Sequence, residues 1–93
     1  MRQAFPLPSF EKSFHRLKSS DRIVVKKSLK QFNHLLLTGE APRGLGFKKL
    51  APGKYEFRAG IKLRVILMRE DENYFLLYIA DHDDVRRFLR NSP

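Results

Sequence analysis

Arg58 and Arg64 flank the dipeptide Ala59-Gly60 in a stretch that alternates polar and apolar residues. Strict alternation is the pattern of half-buried strands, and Ala59-Gly60 suits a turn between two of them. The two guanidiniums are therefore expected on neighbouring strands, each on the face opposite a run of apolar residues. A guanidinium is a planar fork of N–H donors that matches the oxygens of a phosphate. Lys54 and Glu56 share the Arg58 face, so one patch of Lys54, Glu56, Arg58 and Arg64 is expected. Such a patch has the parts for RNA cleavage. A 2′-hydroxyl attacks the adjacent phosphate as a base takes its proton, cations stabilise the developing charge, and a donor protonates the departing 5′-oxygen. Glu56 is a candidate base, and His82 is a candidate acid or base near neutral pH.

This chemistry needs no metal or cofactor, and none is expected. The chain has no cysteine, and His15, His34 and His82 lack ligand-like spacing. The sequence also lacks a Gly-rich phosphate loop, a nucleophile elbow and a Cys/His pair.

Charge points the same way. Nineteen Lys and Arg against ten Asp and Glu give the 93 residues a net charge of +9. The excess is concentrated: residues 43–69 carry eight basic side chains and one acid, whereas residues 70–93 are net negative. A solvated face usually mixes signs, so this segregation points to a polyanion such as nucleic acid. The length fits one domain spanning residues 1–93. The longest apolar run, residues 74–80, is too short to span a bilayer. No signal-peptide stretch follows Met1-Arg2, so the cytoplasm is the expected location.

The elements that must hold these residues can be read in order. Residues 2–7 suggest a short strand, limited by Pro6 and Pro8. Ser9 is an expected helix N-cap, and Phe10, Phe14 and Leu17 recur at helical spacing. Val25, Leu29, Phe32 and Leu36 form a second helical stripe that Gly39 ends, making an αα-hairpin. Residues 47–50, 54–58, 62–69 and 74–80 read as strands, the last apolar on both faces as in a central strand. In the third of these runs Leu63, Val65 and Leu67 are expected opposite Lys62, Arg64, Ile66 and Met68. Val85, Phe88 and Leu89 suggest a short closing helix. The sum is an α+β domain: an N-terminal strand, an αα-hairpin, then a three- to four-stranded largely antiparallel sheet and a short C-terminal helix.

The order of these pieces resembles the RelE/ParE superfamily of toxins from type II toxin–antitoxin systems. The resemblance rests on Lys48-Lys49-Leu50, Tyr55-Glu56-Phe57-Arg58, Leu63-Arg64-Val65-Ile66-Leu67, the apolar strand, and the closing Ala80-Asp81-His82-Asp83-Asp84-Val85-Arg86. It implies a RelE-like fold and, on the RelE-like branch, a ribosome-dependent endoribonuclease that cleaves mRNA in the ribosomal A site. The implied catalytic set is Arg64, Arg58, His82 and Glu56. Lys48, Lys49, Lys54, Lys62 and Arg86 are the implied RNA-binding residues. The implied partners are the ribosome, its mRNA and an acidic cognate antitoxin, with which a hetero-oligomer forms. Arg86 stands where the family often has Tyr, and Ala80 where it has Gly. Two alternatives share the fold: a ParE-like inhibitor of DNA gyrase, and a catalytically inactive homologue that only binds antitoxin or RNA.

Overall fold

The computed structural model describes residues 2–81. The elements run β1 (Ala4–Pro6), α1 (Pro8–His15), α2 (Ser19–Thr38), β2 (Lys48–Ala51), β3 (Lys54–Ala59), β4 (Leu63–Glu70) and β5 (Asn73–Asp81). The strands form one sheet in the order β1-β5-β4-β3-β2. Strands β2 to β5 are an antiparallel meander, and β1 joins it parallel to β5. This is the α+β architecture expected from the sequence. The closing helix expected around Val85 lies outside the described residues.

One face of the sheet packs against both helices. Phe10 of α1, Val25 and Phe32 of α2, and Phe57, Val65, Leu67, Tyr74 and Leu76 of the strands form its core. Phe32 is the hub: its ring stacks on Phe57 at 4.7 Å between centroids and meets Tyr74 edge-on at 5.4 Å. Truncating such a buried aromatic typically costs about 3–5 kcal/mol. Leu45, in the connection between α2 and β2, is also fully buried. It pins this turn-rich connection to the core.

The opposite face departs from the expected pattern. Ile66 lies on the same face of β4 as Arg64, as expected, but it is fully buried there and packs with Ala80, Leu50, Leu77 and Tyr78. The centre of that face is thus a second, smaller apolar cluster.

Ser9 is the second departure. Leu7 occupies the N-cap of α1, no side chain caps it, and Pro8 begins the helix. The Ser9 hydroxyl instead donates to the Leu77 carbonyl. The Ile79 amide donates to Ser13 Oγ at 3.0 Å. The physical need lies in β5. Opposite β4 its register shifts, with Ile66 facing Tyr78 and Leu67 facing Leu76, so Leu77 is an extra residue. On its other side β1 pairs only as far as Leu76. Beyond that point the β5 backbone needs other partners, and the first turns of α1 supply them.

Candidate nucleic-acid interface

The β3–β4 hairpin turns through residues 60–62, which places Arg58 directly opposite Arg64. Like charges at directly opposed positions destabilise a sheet. An anion placed between the two side chains would relieve this repulsion, and each arginine is held from a different direction. Arg64 Nη1 donates to the carbonyls of Leu63 at 3.0 Å and Ile61 at 3.3 Å, folding the guanidinium back over the turn. The Arg58 amide donates to the Leu45 carbonyl at 2.7 Å. The Arg58 side chain then passes over Gly46, where a Cβ would stand 3.0 Å from its Cδ and Nε. At Gly60 a Cβ would come within 2.9 Å of Val24 Cγ1, so the turn closes against α2 only with glycine there.

The arginine pair borders two recesses. On the sheet face, Gly46, Phe47, Lys48 and Glu56 join Arg58 and Arg64 around a space of about 240 Å³. On the helix side, Arg58 and Arg64 line a groove of about 600 Å³ between α2, residues 43–44 and the β3–β4 turn. Lys27 and Arg43 add two more cations to that groove, and no acidic side chain lines it among the described residues.

Glu56 lies on the Arg58 face of β3 as expected, but within the sheet rather than in solvent. It is 5% exposed. Its register partners are Lys48 on β2 and Ile66 on β4, so its neighbour on one side is apolar. Lys48 Nζ lies 3.3 Å from Oε1. Oε2 is buried with no hydrogen-bond partner, the only such side-chain atom among the described residues. A buried carboxylate oxygen without a donor is costly, and such atoms are rare in folded proteins.

The remaining expected residues divide. Lys48 joins the recess through its ion pair. Lys62 is exposed in the β3–β4 turn and borders an adjoining apolar recess with Val24, Ile61 and Leu63. Lys49 does not join the patch: it is paired with Tyr55, on the face that packs against the helices, at the outer edge of the sheet. Lys54 does not join it either, since it stands four positions before Arg58 along the strand, about 13 Å away. His82 and Arg86 lie outside the described residues. No three described His, Asp or Glu side chains converge as metal ligands. No described helix is long and apolar enough to cross a membrane.

No protein-family model matches the sequence, and no curated protein matches it. Solved structures do match. A chain of the RelB–RelE antitoxin–toxin complex from Methanococcus jannaschii superposes with a TM-score of 0.66 at 10% identity, covering 90% of this chain and 96% of that one. YafQ from E. coli strain BL21(DE3) gives 0.64 at 14% identity, covering 91% and 98%. The YoeB dimer from Staphylococcus aureus gives 0.64 at 17%, covering 86% and 95%. The fold is that of the RelE-like toxins.

On this RelE-like scaffold the sequence reading missed two residues. Lys27 reads as a solvated position beside the apolar stripe of α2, and Arg43 as part of a turn-rich connection. Both face the groove only because α2 and residues 43–44 close over the β3–β4 turn. Their one sequence signal is charge: Arg43 opens the segment in which eight basic residues accompany a single acid.

Proposed function

We propose that this chain is the toxin of a type II toxin–antitoxin pair and cleaves mRNA in the ribosomal A site. The observation that carries the reading is the opposed arginine pair, Arg58 and Arg64, bordering a recess that Glu56 also lines. In this reading the two guanidiniums hold the non-bridging oxygens of the scissile phosphate and stabilise the charge that builds there. Glu56 accepts the proton of the attacking 2′-hydroxyl. The new bond joins O2′ to phosphorus, the bond to the 5′-oxygen breaks, and a cyclic phosphate remains on the upstream fragment. His82 gives the departing oxygen its proton. It follows Ala80 by two residues, and Ala80 is the β5 partner of Arg64. The cognate antitoxin is an acidic protein whose carboxylates complement the basic patch.

Primer extension on an mRNA under translation in a purified system tests this. New 5′ ends at A-site codons are expected only when ribosomes and protein are both present, and are expected to vanish with Arg64→Ala. Intact mRNA with a protein that still arrests growth overturns the nuclease reading. Loss of supercoiling activity by purified gyrase would then assign the inhibitor reading.

A further inference from the structure

We propose that the groove between α2 and the β3–β4 turn is a second nucleotide site, which holds a backbone phosphate neighbouring the scissile one on Lys27 and Arg43. The inference rests on the RNA-cleaving reading above and extends its substrate site along the strand. Its basis is convergence. Lys27 comes from α2, Arg43 from the α2–β2 connection, Arg58 from β3 and Arg64 from β4, yet all four line one space. Four cations in one groove with no lining acid among the described residues repel one another, and phosphates relieve that repulsion. The space of about 600 Å³ lies in the range of small-molecule sites. Its continuity with the catalytic recess is direct, because Arg58 and Arg64 border both. A strand held at the arginine pair therefore enters the groove without leaving basic surface.

The uncharged lining fits the rest of a nucleotide. Ile23 and Ile61 border the groove at 67% and 94% exposure, so aliphatic surface is left in water beside the cations. The face of a base covers such surface favourably. Ser28 is committed, donating to the Val25 carbonyl at 2.8 Å. Gln31 supplies an amide with both donor and acceptor groups for a base edge.

The test is fluorescence anisotropy with a labelled single-stranded RNA dodecamer of mixed sequence, titrated at several salt concentrations. Wild type is compared with the double variant Lys27→Ala/Arg43→Ala, both positions being exposed. The dependence of log K on log salt is expected to become shallower by about 0.7 for one released phosphate and about 1.4 for two. In the translation assay the double variant is expected to raise the protein concentration needed for half-maximal cleavage while leaving the saturating rate near wild type. An unchanged salt slope overturns the proposal. So does an unchanged slope with lost binding to a synthetic helical peptide bearing Glu on one face and Leu on the other, which makes the groove a protein-docking surface. The two readings fail separately: mRNA left intact by the wild type removes the nuclease reading, whereas the salt slope alone decides the groove.

Discussion

Gly46 lies directly beneath the side chain of Arg58, so close that a methyl group there would press on the guanidinium stem. Gly44, two residues earlier, also has a positive φ, but a side chain there would meet open space. The pair separates backbone strain from displacement of the arginine. Alanine at either position costs roughly 1–2 kcal/mol for its left-handed conformation. Only Gly46→Ala is expected to move Arg58. Thermal melts should therefore place the two variants together, while mRNA cleavage should fall several-fold further in Gly46→Ala. Equal cleavage by both would show that Arg58 works without being held over the glycine.

The Lys48–Glu56 pair is lopsided, with the lysine side chain 65% exposed and the glutamate 6%. Lys48→Ala leaves a buried carboxylate without its cation. Water reaches the lysine side, so the expected loss is about 1 kcal/mol in urea unfolding, below that of a fully buried pair. Glu56→Gln keeps the shape and removes the charge, so stability should change by less than about 1 kcal/mol. Cleavage should nevertheless drop by about 10²-fold or more if Glu56 takes the 2′-hydroxyl proton. A fully active Glu56→Gln would move the base elsewhere.

Arg64→Lys preserves charge but not the planar fork. A lysine ammonium does not reproduce the guanidinium's geometry toward the Leu63 and Ile61 carbonyls and a phosphate. Cleavage is expected to fall at least about tenfold, with the melting temperature within about 4 °C of wild type, equivalent to under about 1 kcal/mol for a domain of this size. Wild-type turnover in this variant would reduce the role of residue 64 to that of a point charge.

Ser13 tests the tie between α1 and β5. Its hydroxyl donates to the Phe10 carbonyl and accepts from the Ile79 amide. Ser13→Ala leaves that partly buried amide without its acceptor, at a cost of about 1–3 kcal/mol. Hydrogen exchange should show the same loss locally, with faster exchange at Ile79 than at Val65 in the middle of the sheet.

Much of the fold is legible in the sequence because its rules are local. Alternation through residues 54–58 and 62–69, broken by a short turn, is enough to put Arg58 and Arg64 on neighbouring strands. The stripe of Val25 and Phe32 marks the buried side of α2. What is not legible depends on distant partners. Ser9 has the sequence context of a helix cap, but the needs of the β5 backbone near Leu77 draw its hydroxyl away. Ile66 follows the polar phase of β4, but the far side of the sheet has its own apolar centre. Lys27 and Arg43 are ordinary surface cations until tertiary packing brings them to one groove. Glu56 has the pattern of an exposed residue, and only the sheet register shows it wedged between Lys48 and Ile66.

The parallel pairing of β1 with β5 joins residues 4–6 to residues 74–76. Strands β2 to β5 can zip together from neighbouring hairpins, whereas the first strand must wait for the last described one. Long-range parallel closure is slow, because its loop entropy is lost before its contacts form. The seat of β1 and α1 is therefore missing from any nascent chain that lacks β5. A newly made molecule completes this sheet only after almost every residue described here has been synthesised, and the arginine hairpin gains its finished surroundings late in the chain's own birth.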